Sequence, residues 1–143
     1  MIRALRQRAE RRQLMTAEAE ILAELRRLRT RLPQITGALT ASVDGLVLAQ
    51  DAVEDAESVA ALTAAALGVA QRLTHTTGRG AFRELLLQGE DGYAATYAAG
   101  SAAVLTLLAQ PRTNVGRLHL EARRAGARIG ELVDGALERL ETS

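Results

Sequence analysis

The sequence predicts an α+β domain, a five-stranded antiparallel sheet flanked by helices, in the order α-β-β-α-β-β-β-α. Three observations carry this expectation. Residues 35–43 alternate: Ile35, Gly37, Leu39, Ala41 and Val43 fall on one face, Thr36, Ala38, Thr40 and Ser42 on the other, the period of a half-buried strand. Asp44-Gly45 ends that run, and Asp-Gly is the strongest short hairpin signal, here read as a type I′ turn into a second strand at 46–50. Beyond it, Val59, Leu62, Ala66, Val69 and Leu73 recur at steps of three and four, a helix period.

The elements follow in chain order. Residues 1–15 are polar and basic, with Ile2, Leu5 and Ala9 as a faint helical stripe; they read as an N-terminal extension free to fray or be disordered, ahead of one domain over 16–143. Met15-Thr16 offers an alternative start. Thr16 is the expected N-cap of a helix over 16–32, with Glu18 and Glu20 in its first turn and Arg26, Arg27, Arg29 and Arg31 towards its end. Leu14, Ile21, Leu25, Leu28 and Leu32 form its stripe, and Pro33 stops it.

After the hairpin, the long helix runs to about Thr76, and Thr77-Gly78-Arg79-Gly80 reads as a flexible turn. Residues 82–88 are expected as the third strand, with apolar groups on both faces. Gly89-Glu90-Asp91-Gly92 turns the chain into a fourth strand at 93–99, and Gly100-Ser101 into a fifth at 102–110 that Pro111 closes. Asn114 caps the last helix. There Leu118, Ala122, Ala125, Ile129, Leu132, Ala136 and Leu140 form the stripe, Leu120 and Val133 widen it, and Arg117, Glu121, Arg124, Arg128, Glu131 and Glu138 stay wet.

The long central helix is apolar on every side. Its Val/Leu seam can cover a sheet, while Ala60, Ala61, Ala64, Ala65, Gly68 and Ala70 leave room for another backbone, most simply a second copy of the helix. The plainer account is that alanine is a good helix former.

With 143 residues the chain fits one domain and buries about two-thirds of its unfolded surface. It has no cysteine, so disulfides, thiol nucleophiles and Cys-ligated zinc are excluded. All 18 basic residues are arginine. Without lysine there is no P-loop, no Schiff base and no Ser-x-x-Lys acyl transfer. No apolar run approaches the roughly 20 residues of a membrane span, and the first residues are too charged for a signal peptide. Charge is unevenly placed: residues 1–31 hold nine arginines against four glutamates, net +5, and the rest nine arginines against 13 acids, net −4. Such a basic arm suits nucleic acid, an anionic membrane or an acidic partner, or is a solvated helix face.

The pattern resembles the roadblock family of dynein light chains and its bacterial relatives. The matching pieces are Gly37-Ala38-Leu39, the hairpin Asp44-Gly45-Leu46-Val47-Leu48, Asp55-Ala56-Glu57 opening the Ala-rich helix, Gly100-Ser101-Ala102-Ala103-Val104-Leu105-Thr106-Leu107-Leu108, and the helix start Asn114-Val115-Gly116-Arg117-Leu118. The likeness covers about residues 16–140, and its specificity lies in their order and spacing. It implies a roadblock/profilin-like fold and a homodimer, or a heterodimer with another roadblock chain, in which the long helices pack together and the third strands pair. It also implies a cytoplasmic, non-enzymatic protein that binds small Ras-like GTPases or scaffolds proteins that do. Bacterial members similar to the gliding-motility regulator act as GTPase-activating or exchange partners, some beside a sensor kinase. On this reading Ala61, Ala64, Ala65, Gly68, Phe82 and Leu86 are the candidate dimer interface.

Nothing in the sequence marks a catalytic, cofactor or metal site. His75 and His119 lack a second ligand at i+4, no His-Glu-x-x-His or Gly-x-Ser-x-Gly occurs, and Gly78-x-Gly80 is too short for a dinucleotide loop. Arg79, between two glycines, is the candidate GTPase contact: an arginine finger, or simply an exposed loop residue. Tyr93, Tyr97 and Phe82 are the only aromatics, so base stacking and nucleic-acid binding are not expected. The competing readings are a GTPase regulator, an adaptor for a kinase or another roadblock chain without effect on hydrolysis, and an arm that binds an anionic polymer or membrane.

Overall fold

The computed structural model describes residues 2–141, apart from the side chains of Glu10, Arg11, Leu14 and Leu140. The stripe positions expected for Leu14 and Leu140, and the last two residues of the 16–143 domain, lie outside the described residues. The elements are α1 (Ile2–Thr16), α2 (Glu18–Arg31), β1 (Ile35–Ser42), β2 (Val47–Asp51), α3 (Ala56–Thr76), β3 (Glu84–Gly89), β4 (Gly92–Ala99), β5 (Ala103–Ala109) and α4 (Val115–Glu141). From α2 onward the order is the expected one, with α1 ahead of it. Five antiparallel strands form one sheet in the order β2-β1-β5-β4-β3, so β2 and β3 are its edges.

Helices α2 and α4 cover one face and α3 the other. The larger core lies under α2 and α4, where Ile21, Leu25, Leu28, Leu105, Leu107, Leu118 and Ile129 are fully buried. Both helices carry a clear polar side, so their stripes could face only the sheet. Leu120 departs from this and stays exposed, while Val133 is buried. Asn114 caps α4 as expected: its Oδ1 accepts the Arg117 backbone N–H at 3.1 Å. Thr16 caps nothing. It closes α1 and its hydroxyl donates to the Gln13 carbonyl at 2.7 Å. The chain instead passes from α1 to α2 through Ala17, which is buried and keeps a helical backbone, so no cap geometry arises.

The β1–β2 turn is not type I′. Only Gly45 has a positive φ, +96°. Gly45 N–H donates to the Ser42 carbonyl at 3.0 Å and Ser42 N–H to Leu46 at 2.8 Å, a longer connection whose glycine takes the left-handed place after a tight turn. Ser42 holds it, its hydroxyl donating to Asp44 and accepting the Leu46 N–H.

The expected orientation of α3 is reversed. Ala60, Thr63, Leu67 and Ala70 face the sheet, and Leu62, Val69 and Leu73 are 70%, 69% and 62% exposed. Two contacts explain the choice. The Thr63 hydroxyl meets Thr106 on β5 at 3.2 Å, and Thr106 meets Thr96 on β4 at 3.2 Å, so burying this stripe leaves no hydroxyl unpaired. Gly45 also lies against Ala60, Ala61 and Ala64: a Cβ there would stand 3.5 Å from that of Ala64. Small residues thus let α3 approach its own hairpin.

Residues 77–80, expected as a flexible turn, are fastened to α3. Gly78 is left-handed at φ +70°, its N–H donates to His75 at 3.1 Å, and Arg79 N–H reaches back to Thr74 at 2.7 Å. This pair of bonds is a Schellman cap, which satisfies the last carbonyls of the helix.

Glu24 is a buried carboxylate on the stripe of α2 and ties α2 to α4. Arg128 Nε donates to it at 2.8 Å from α4, and Arg27 donates from the same helix. Burial pushes its pKa up, but the hydrogen bonds and charges of the two arginines outweigh this and hold it below the ordinary 4.5. A depressed pKa stabilises the fold above the unfolded value and loses that contribution as pH falls through the folded one. Glu24→Gln should therefore cost about 1–3 kcal/mol at pH 7. In urea titrations the gap from the unaltered protein should close below about pH 4; a gap that did not change with pH would refute the assignment.

Candidate interaction surface

Helix α3 covers only β1, β2 and the middle of the sheet, where Leu39, Ala41, Val53 and Val104 pack under it. The same face of β4 and β3 has no helix over it. Leu86 pairs with Ala95 and packs into the larger core, so Leu85 and Leu87 point to the α3 side. Leu87 is 53% exposed, Ala98 is exposed, and Leu85 and Ala94 are half-buried. A cleft of about 530 Å³ separates the end of α3 from β4, lined by Leu67, Gln71, His75, Phe82, Ala98 and Ser101 among others. The uncovered strip ends at β3, whose outer edge is unpaired. An unpaired edge and an exposed apolar helix on one side of a sheet are both liabilities for a lone chain.

The candidate interface residues divide on this frame. Ala61, Ala65 and Gly68 are exposed together on the outer side of α3, beside Leu62, Val69 and Leu73. Ala64 is half-buried on the flank that turns towards the sheet. Phe82 lies just ahead of β3 and packs under α3, and Leu86 faces α4. Neither of the last two joins the α3 patch. Gly68 is informative. Glycine inside a helix costs about 1 kcal/mol relative to alanine, yet a Cβ at Gly68 would meet nothing within 4 Å. The chain's own packing gives no reason for glycine there.

Arg79 is exposed, and its side chain makes no hydrogen bond or ion pair among the described residues. His75 is exposed in the last turn of α3, at the cleft. His119 is half-buried on α4 and shares a 2.7 Å hydrogen bond with the Tyr97 hydroxyl. Burial raises the Tyr97 phenol well above its ordinary range, so it stays protonated. Arg123 grips Glu84 beside it through two hydrogen bonds, one of 2.9 Å. The arginine's hydrogen bonds hold the Glu84 carboxyl below its usual value against the opposing effect of burial. These contacts join α4 to β3 and β4. Among the described residues no cluster of three His, Asp or Glu side chains could hold a metal ion, and no helix is long and apolar enough to cross a membrane.

Sequence reasoning missed two features. One is Glu24, legible as the single acid on an otherwise apolar stripe at Ile21, Leu25 and Leu28. The other is the pair Gly126 and Gly130, four apart on α4, where the helix crosses the β4–β5 turn: a Cβ at Gly130 would stand 2.6 Å from the Gly100 nitrogen.

The comparisons with known proteins agree with this architecture. The Roadblock/LC7 domain matches residues 21–109, from α2 to the end of β5. Two uncharacterised proteins of Methanocaldococcus jannaschii are each 32% identical over 97 residues, 66% of this chain and 84% of theirs. The gliding protein MglB of Thermus thermophilus superposes with a TM-score of 0.74 at 22% identity, over 85% of this chain and 92% of that one. A Roadblock/LC7 domain of Streptomyces avermitilis gives 0.69 at 23%, over 84% and 97%. At those identities the structural likeness speaks for the fold alone. The family match over the whole sheet, together with the M. jannaschii relatives, shows that this chain belongs to the Roadblock/LC7 domain family.

Proposed function

We propose that this chain is a non-enzymatic, dimeric interaction protein that binds and regulates a small Ras-like GTPase in the cytoplasm. The observation that carries the reading is the outer side of α3, where Leu62, Val69 and Leu73 stand exposed beside Ala61, Ala65 and Gly68. A row of large apolar groups next to a row of small ones suits two antiparallel copies of α3, each filling the other's shallow side. The free edge of β3 supports the same partner, since pairing it with a second β3 would continue the sheet. Membership of the roadblock family, whose resemblance implies partners among small Ras-like GTPases, supports the choice of a GTPase as the regulated protein.

The test is direct. The full chain is mixed with the purified Ras-like GTPases of the same genome, and single-turnover phosphate release is followed. Stimulation of tenfold or more supports regulation. Binding without a change in rate would make the protein an adaptor, and failure to bind any of them would overturn the GTPase reading.

Arg79 is an exposed cation on the capped turn, next to Gly80 at the cleft, and on this reading it is a peripheral contact. Arg79→Ala should leave stimulated hydrolysis within about twofold. An arginine finger supplied in trans is worth about 10³–10⁵ in rate, so a loss of that size would assign it the finger's role instead.

A further inference from the structure

We infer that α1 docks on an anionic lipid surface, lying along the headgroups rather than crossing the bilayer. Helix α1 packs on α4, with Ala9 and Gln13 half-buried, while its first turns stand clear. There Ile2 and Leu5, three apart and so on one face, are 83% and 56% exposed. Around them Arg3, Arg8 and Arg12 are exposed and make no hydrogen bond or ion pair among the described residues. No acid lies in the first turn. Charge complementarity names the occupant. Helix α1 holds five arginines against one glutamate, net +4, and the rest of the chain is net −3, so a negatively charged surface attracts α1 and repels the body behind it. Guanidinium groups pair bidentately with phosphate, and two aliphatic side chains among them have a place to go in a headgroup layer. A nucleic acid would use the arginines but not Ile2 or Leu5, and α1 holds no aromatic side chain to stack on a base. With only two apolar residues to insert, attraction between charges dominates, and binding is reversible and steeply salt-dependent.

The experiment is co-sedimentation of the full chain with vesicles of phosphatidylcholine, with and without phosphatidylglycerol. Binding is expected only to the anionic vesicles at about 0.1 M salt, and should be lost near 0.5 M, where the Debye length is far shorter. Replacing Arg3, Arg8 and Arg12 by alanine should lower partitioning about 100-fold. Replacing Ile2 and Leu5 by serine should lower it about tenfold. All five positions are exposed, and circular dichroism verifies that the variants fold. No vesicle binding at low salt, or binding indifferent to the three arginines, would overturn the proposal. So would retention by duplex DNA or RNA that persists in the Ile2/Leu5 variant while vesicles are ignored.

Discussion

Gly130→Ala is expected to destabilise the fold by about 2–3 kcal/mol, a net effect of opposed terms. Alanine is the better helix former by up to about 1 kcal/mol. Against this, the new Cβ would lie 2.6 Å from the Gly100 nitrogen, 2.9 Å from the Ala99 carbonyl carbon and 3.0 Å from the Gly100 Cα. These are backbone atoms and cannot rotate away. Gly100 is itself left-handed at φ +70°, with the Asp134 carboxylate also close to where its Cβ would be, so the turn has little room to retreat. Helix α4 must lift, and Gly126, four residues earlier and 3.0 Å in the same sense from the Ala98 carbonyl, lifts with it. Overpacking of a tight contact costs about 1–3 kcal/mol, and more where neither side yields. The melting temperature should fall by about 5–12 °C for a chain of this size. Gly135→Ala is the control on the same helix: its Cβ would meet only the end of Arg139 at 4.0 Å, so it should stabilise by about 0.5–1 kcal/mol. If Gly130→Ala melted no lower than the unaltered protein, the close crossing of α4 over the β4–β5 turn would be wrong.

In the dimer proposed above, Val69→Glu should favour monomers, raising the dissociation constant by 100-fold or more. Val69 is 69% exposed in the single chain, so a carboxylate there leaves the fold intact. Between two apolar helices it would be a buried, unpaired charge, which costs several kcal/mol. Gly68→Ala separates folding from association. In one chain the added methyl meets nothing within 4 Å and should raise stability by up to about 1 kcal/mol. Between closely packed helices the same methyl forces them apart, so association should weaken. Sedimentation equilibrium beside denaturant melts at low protein concentration reads both signs. A chain that remained dimeric with Val69→Glu, and tightened with Gly68→Ala, would place the dimer contact on some other surface.

Much of the architecture is legible in the sequence, and the reason is polarity. Helices α2 and α4 carry charged sides, and a stripe such as Leu118, Ala122, Ala125 and Ile129 can then face only inward. Strand alternation and the Gly-rich turns likewise set the order of elements. Periodicity finds α3 but does not choose the side it buries, because Ala60-Thr63-Leu67-Ala70 and Leu62-Val69-Leu73 are two largely apolar stripes with no wet side between them. Only the hydroxyl partner at Thr106 and the backbone of Gly45 choose which one is buried, and both lie far away in sequence. The turn at Asp44-Gly45 is similar. The dipeptide announces a reversal, but the Ser42 side chain selects its form.

The sequence by itself determined the fold class, the family likeness, and the absence of lysine- and cysteine-based chemistry, because each depends on which residues are present and how they are spaced. Only the tertiary structure decided which side of α3 is exposed, that Glu24 joins two helices through Arg128, and that α4 touches the β4–β5 turn at Gly130. Those depend on distances between segments remote in the chain, and a one-dimensional pattern contains no term for the shape and hydrogen-bonding needs of the surface that a helix will meet.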